Sequence, residues 1–373
     1  MRPIYINGRF LAARLSGVPR FGRELLHHLD LLLDTLKYKV TVVILVPKSV
    51  TELFPYKHLI VRPVGILSGH SWEQCELPFY AFNGILFSPS GSAPLIHPRN
   101  LLTIHDAIVF AAPAGFSRSY LIWYRFLSLV LCRTALCIVT VSQFSKRELV
   151  RWCGAHPSRI TVAYPGAQHL LQVTQDNSIQ SRFDLTRFRY ALAVGSMSPN
   201  KNFKALIAAL AFLEGTDIEV VLVGQTASIV GRHGSKEEPL NLSKVKNVGY
   251  ISDEELRSLY ENAGCFVFPS LYEGFGLPPL EALSLGCPIV VSDTASLPEV
   301  CGEVAVLCDP HSPEDIAMKI RYAVHLREDP SNAERFTRFA ARYNYKTTAG
   351  VIWNMIVKAA AVGEQCSDIQ TPQ

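Results

Sequence analysis

Short apolar runs and longer stretches of helical spacing alternate along most of this chain. Ile4-Tyr5-Ile6, Val40 to Val46, Leu59-Ile60-Val61, Ile85-Leu86-Phe87, Leu101 to Ile104, Cys137 to Val141 and Arg159 to Val162 predict buried strands. Between them, Phe21, Leu25, Leu26, Leu29 and Leu33 recur at helical spacing behind Pro19, and Tyr120 to Cys132 reads as a second helix. Ser142 caps a third helix that Gly154 stops. Gly65 to Pro89 reads as loop-rich, and Gln168 to Arg189 is polar enough to break the alternation.

The pattern restarts at Tyr190. Tyr190 to Gly195, Glu219 to Gly224, Cys265 to Phe268 and Ile289 to Val291 predict strands, and Leu297 to Val300 with Val304 to Leu307 are expected to finish the sheet. Helices are expected through Phe203, Leu206, Ile207 and Leu210, behind the capping box Ser252 to Glu255, and between Pro278 and Gly286. From Pro313 the chain reads as a helical tail whose last helix is amphipathic through Trp353, Ile356 and Val357. Ile229 to Lys246 is expected to be a polar loop and the end from Glu364 a disordered tail.

Strand and helix alternating twice predicts an α/β chain with two parallel sheets. Residues 1–167 are expected to form an N-terminal Rossmann-like domain, 168–185 a linker and 186–349 a C-terminal Rossmann-like domain, with a helix at about 350–363 returning to the first. A length of 373 residues asks for two cores rather than one, and a hydrophobic share of 49% with 18% charged residues excludes a disordered or fibrous chain. The net charge of +4 suits a phosphorylated ligand or an anionic membrane surface but is too diffuse for nucleic acid. Nine cysteines without a C-x-x-C pair argue against a disulfide framework or zinc ribbon and for a reducing compartment. Met1 to Ile6 runs into a strand without the pattern of a secretory leader, and Arg125 and Arg133 interrupt the most hydrophobic stretch, so secretion and membrane spanning are not expected.

Candidate chemistry gathers at strand ends, where parallel sheets present ligand-contacting groups. His105 and Asp106 follow the strand Leu101 to Ile104, and Lys201 follows Tyr190 to Gly195 at the start of a helix. Glu273 stands in the loop after Cys265 to Phe268, and Glu281 is expected in the first turn of the helix that follows. Between the two glutamates, Gly274-Phe275-Gly276-Leu277 opens that helix, and backbone N–H groups at such a terminus suit an anion.

Two glutamates with seven residues between them, around Gly-Phe-Gly-Leu-Pro and followed by the Gly286-Cys287-Pro288-Ile289-Val290-Val291 strand, resemble the donor site of retaining glycosyltransferases of family four, the group 1 glycosyltransferases. The resemblance extends over nearly the whole chain. It implies the GT-B fold: two Rossmann-like domains facing across a crevice, residues 1–167 as the acceptor domain and 186–349 as the nucleotide-sugar donor domain, with the final helix crossing back. It also implies roles. Glu281 would take the ribose diol and Glu273 the donor-sugar hydroxyls, the N–H groups of Phe275, Gly276 and Leu277 would reach sugar and phosphate, and Lys201 would hold the diphosphate near Gly195. Gly17 would let the first βα loop approach the diphosphate, His105 would touch the donor sugar, and Asp106 would orient it or polarise an acceptor hydroxyl. The family commonly has arginine at the position of Ser196, and some relatives have it at Asn200; this chain has neither, which leaves Lys201, helped by Lys204, as the cation.

With no D-x-D cluster in the sequence, the donor is expected to bind without a metal or other cofactor. The Glu273 to Pro279 loop and Gly17 to Phe21 look most like bacterial mannosyltransferases that build surface polysaccharide from GDP-mannose. The implied partners are a nucleotide-sugar donor and a lipid-linked oligosaccharide acceptor, approached through Arg118 to Arg133 from the cytoplasmic face of the membrane. A non-catalytic nucleotide-sugar-binding subunit, a GT-B epimerase and a phosphorylase remain open as alternatives at the level of sequence.

Overall fold

The computed structural model describes residues 2–13, 16–36, 40–50, 55–224 and 244–362. The tail from Glu364 and most of the expected polar loop Ile229 to Lys246 lie outside them. The chain forms two compact units, one of residues 1–165 with 344–373 and one of residues 166–343.

The first unit is built on β1 (Ile4–Asn7), β2 (Val42–Pro47), β3 (Leu59–Val64), β4 (Ile85–Ser88), β5 (Asn100–Thr103), β6 (Cys137–Thr140) and β7 (Ile160–Val162). Among the described residues these form one sheet in the order β3-β2-β1-β4-β5-β6-β7, with every pair parallel. The second unit carries β8 (Tyr190–Val194), β9 (Glu219–Val223), β10 (Val245–Gly249), β11 (Cys265–Phe268), β12 (Ile289–Ser292) and β13 (Val306–Cys308), in the order β10-β9-β8-β11-β12-β13, also parallel. Each sheet therefore reverses direction once, between β1 and β4 and between β8 and β11. Such switch points open a crevice at the carboxyl ends of the strands, because the flanking connections leave to opposite faces.

Local signals explain most element ends. Ser142 Oγ accepts from Ser145 N, and Gly154 closes that helix at φ +63°. Ser252 and Glu255 form the full capping box at the helix Asp253–Asn262. Pro278 and Pro279 lie in the first turn of the helix Leu277–Ser284, and Gly286 follows it at φ +71°. The final helix, Tyr345–Val362, belongs to the first unit, where the Tyr345 ring stacks on His28 at 5.6 Å.

Three expectations need correction. Leu297–Cys301 is a helix, not a strand, because Pro298 sits in its first turn and leaves β13 to finish the sheet. Gly65 to Pro89 holds helical segments Gly69–Ser71, Trp72–Glu76 and Leu77–Ala81, anchored by fully buried Trp72 and Leu77. Residues 168–185, expected as a linker, fall within the second unit and contribute a buried turn, Gln168–Leu171, and a helix, Ser178–Arg182. Arg257 Nη1 donates to Val173 O at 2.6 Å and Ser258 Oγ to Asn177 Oδ1 at 2.6 Å, so this polar stretch is pinned to the helix Asp253–Asn262.

Among the described residues Cys75, Cys132, Cys153, Cys265, Cys287, Cys301 and Cys308 are free thiols. Among the described residues no helix is long and apolar enough to cross a membrane.

Candidate functional site

The second switch point brings together two loops from strands that are neighbours in space but distant in sequence. The loop after β8 carries Gly195, Ser196 and Lys201; the loop after β11 carries Glu273 to Leu277. Lys201 Nζ donates to Glu273 Oε1 at 2.7 Å and lies 4.7 Å above the Phe268 ring. The pair is mostly enclosed, with side-chain exposures of 19% and 14%, so each charge substitutes for much of the water the other has lost. Leu271 N donates to Asn200 O at 2.8 Å, and Asn202 Nδ2 donates to Pro269 O at 3.0 Å, which binds one loop to the other.

The glycine-broken turn is held from below. Buried Ser296 Oγ lies 2.9 Å from Glu273 O and 3.0 Å from Phe275 O, and the Phe275 ring meets Tyr343 edge-on at 5.9 Å. Gly276 adopts φ +100°, and a Cβ there would lie 2.7 Å from Leu297 Cδ2, so only glycine lets the chain turn into the helix at Leu277. Pro278 and Pro279 carry no N–H, so at this helix start Leu277 offers the backbone donor, which has no acceptor within the helix and suits an anionic oxygen.

Glu281 is placed differently from expectation. The helix begins at Leu277, so Glu281 stands in its second turn and is only 5% exposed. Tyr260 Oη donates to its Oε2 at 3.0 Å, and His169 Nε2 lies 3.2 Å from its Oε1. His169 and Tyr260 are residues that sequence reasoning missed. The available signal was a histidine beside Leu170 and Leu171 just after Pro165-Gly166, an apolar patch inside a stretch read as linker.

Ser196 is exposed and its Oγ lies 3.1 Å from Ser198 Oγ, while Lys204 is also exposed. Gly195 begins the turn and is tied to the neighbouring strand through its N–H to Val223 O at 3.0 Å.

The remaining predicted residues belong to the first unit. Gly17 is the first residue of the helix Gly17–Thr35, not a loop residue, and a Cβ there would meet nothing within 4 Å. His105 Nε2 lies 3.1 Å from Pro89 O, and the Phe21 ring meets the imidazole edge-on at 4.8 Å. Because the carbonyl can only accept, Nε2 carries the hydrogen and Nδ1 presents a lone pair. Burial lowers the His105 pKa to about 4, so the ring is neutral at physiological pH. Asp106 Oδ1 accepts from Ile108 N at 2.9 Å and turns the chain into the next helix. Among the described residues no group of three or more His, Cys, Asp or Glu side chains gathers to hold a metal ion.

The sequence of the second unit matches the model of glycosyl transferases group 1 over residues 175–341, and residues 81–169 match that of glycosyltransferase family 4. The chain therefore carries a group 1 glycosyltransferase domain. It is similar to the O-antigen chain mannosyltransferase B of Escherichia coli, 29% identical over 67% of this chain and 66% of that protein, so the match takes in about two thirds of the relative's length. The O-antigen chain mannosyltransferase RfbU of Salmonella typhimurium is 25% identical over 71% of each chain. The fold also matches the crystal structure of Anabaena Alr3699/HepE in complex with UDP-glucose, with a TM-score of 0.68 at 17% identity over 96% of this chain and all of that one. The architecture of this glycosyltransferase is therefore GT-B.

Proposed function

We propose that the protein transfers a mannosyl residue from GDP-mannose to a hydroxyl of a lipid-linked oligosaccharide or polysaccharide, with retention of the anomeric configuration and without a metal ion. The Lys201–Glu273 pair at the second switch point carries this reading, since it puts one cation and one carboxylate beside a helix mouth suited to a diphosphate. The mannose preference is supported by the relatives named O-antigen mannosyltransferases.

In this reading the bond from the sugar to the diphosphate breaks and a new bond forms to the acceptor oxygen, while the acceptor proton leaves with the diphosphate. Charge builds on the leaving diphosphate, and a fixed ammonium with the N–H groups of Gly276 and Leu277 stabilises it. Glu273 takes donor-sugar hydroxyls, and its tie to Lys201 couples recognition of sugar and phosphate. Glu281 takes the ribose diol as a third partner beside His169 and Tyr260. His105, neutral and with Nδ1 as acceptor, takes a donor-sugar hydroxyl, and Asp106 orients the loop beside it.

The acceptor's lipid tail gives reason for a peripheral position at the inner face of the membrane. On the helix Arg118–Thr134, Ile122 is 71% and Phe126 50% exposed, with Arg118 and Arg133 also at the surface, a composition that suits an anionic interface.

Calorimetric titration of the whole chain with GDP and with UDP, each with and without a chelator, tests the donor. Tighter binding of UDP would overturn GDP-mannose, and loss of binding with chelator would overturn metal independence. Labelled GDP-mannose with a lipid-linked acceptor, followed as released GDP and glycosylated product, tests the transfer itself.

A further inference from the structure

The second sheet also has a cavity at its opposite end. Phe188 stands just before β8 and Pro288 just before β12, and with Arg327 they line a hollow of about 540 Å³ at the amino ends of the strands. Lys201 and Glu273 lie beyond the carboxyl ends of β8 and β11. Strands of five and four residues, rising about 3.3 Å per residue, set the two ends roughly 15 Å apart. Parallel sheets take their substrates at the carboxyl ends, so this cavity is separate from the mouth at Gly276.

Arg187 and Arg327 both lie over the Phe188 ring, their guanidinium carbons 4.4 Å and 4.8 Å from its centroid. Among the described residues neither is ion-paired with a carboxylate. The acidic side chains at the rim are engaged elsewhere: Glu328 Oε2 lies 2.9 Å from His325 Nδ1, and Asp329 accepts from Ser331 N at 2.9 Å and from Ser331 Oγ at 2.8 Å. Arg327 Nη1 donates to Gly286 O and its Nη2 to Glu261 O at 2.5 Å, while its Nε is enclosed and has no acceptor among the described residues. Two backbone carbonyls orient this guanidinium without neutralising it, and a partly desolvated cation with no counter-charge favours an anion beside it. Phe188 takes φ +62°, a backbone conformation that bulky residues rarely adopt, and its N–H is tied to Asn262 O at 2.8 Å. Such strain persists only where neighbours hold it, and here it sets the ring beneath both guanidiniums.

We infer that this cavity is a binding site for an organic phosphate monoester. The phosphate is close to a dianion at neutral pH and so matches the two guanidiniums, whose planar forks of donors suit its oxygens. A carboxylate would leave one of the two cations unmatched. Leu285, Pro288, Leu326 and the fully buried Phe336 offer the organic part of the ester an apolar wall, in a volume typical of small-molecule sites.

Calorimetric titration of the full chain with phenyl phosphate, benzoate and inorganic phosphate tests the site, and needs neither donor nor acceptor of the proposed transfer. Phenyl phosphate should bind at least about tenfold tighter than benzoate, which keeps the ring with half the charge, and than inorganic phosphate, which keeps the charge without the ring. Arg187→Glu reverses the charge of an exposed residue and should weaken phenyl phosphate by at least about tenfold. Arg327→Gln should do the same, with thermal melts separating lost charge from lost fold. Lys201→Ala should leave the affinity within about twofold of wild type, because Lys201 stands at the other end of the sheet. Benzoate or inorganic phosphate binding as tightly as phenyl phosphate would overturn the ligand class. Absence of phenyl phosphate binding, or unchanged affinity in Arg187→Glu, would overturn the site. Loss of binding in Lys201→Ala with retention in Arg187→Glu would also overturn it, by moving the phosphate to the mouth at Gly276.

Discussion

His169 Nε2 lies 3.2 Å from Glu281 Oε1, joining a turn just inside the second unit to a helix more than a hundred residues on. Both side chains are nearly enclosed, with exposures of 5% and 7%, and the contact is one of proximity and charge rather than an aligned hydrogen bond, so removing His169 takes a polar neighbour from a buried carboxylate. Glu281→Gln should cut turnover by at least about a hundredfold with the fold intact. His169→Ala should weaken GDP binding by about tenfold and 2′-deoxy-GDP binding by less, because on the proposed reading the loss passes through the carboxylate assigned to the ribose diol. Calorimetry on both nucleotides checks it; equal losses would mean that His169 supports packing and not the ribose contact.

Lys201 and Glu273 should behave as a coupled pair. Lys201→Ala should cut turnover by at least about a hundredfold, and Glu273→Gln should lower turnover more than it lowers affinity for free GDP. Since the two groups are 2.7 Å apart, the double variant should lose less than the sum of the single losses in free energy. Steady-state kinetics on the three variants decide this, and strict additivity would show that the pair parts completely when donor binds.

The pH response should carry the signature of His105. Its pKa falls from 6.5 to about 4 on folding, so between these values the unfolded chain holds more protons than the native one. The contribution of a neutral His105 is complete above about pH 6.5 and is lost as pH drops toward 4. Denaturant melts of wild type and His105→Asn at pH 7 and pH 5 should differ in the sense that the variant loses less stability on acidification. An imidazole NMR titration with a midpoint near 6.5 would contradict the burial argument.

Ser196 offers a gain-of-function test. It is exposed in the loop after β8, at the position where the resembled family commonly has arginine, so Ser196→Arg adds a charge without displacing a buried group. Turnover should rise or GDP affinity tighten by about tenfold, the effect of one charge-assisted contact of about 1–3 kcal/mol at partial exposure. Neutral results in both assays would mean that Lys201 with the helix terminus already saturates the diphosphate.

The amino-acid sequence by itself determined the parallel strands, their caps and the glycine-broken loop from Glu273 to Leu277, because those depend on interactions within a few residues. Pro278, Pro279, Gly276 and Gly286 mark a turn, a helix start and a helix end by backbone preference alone, and Ser252 with Glu255 closes a cap three residues apart. Short apolar segments lack that local definition, which is why Leu297–Cys301 read as strand and folded as helix. Partnerships between side chains were decided only by tertiary structure. Lys201 meets Glu273, His169 meets Glu281, and Asn7, Arg9 and His70 converge on Glu73 because parallel strands leave and re-enter the sheet on both sides of a switch point. Sequence separation carries no information about such meetings; strand order and register do, and they arise when the two apolar faces of each sheet are buried.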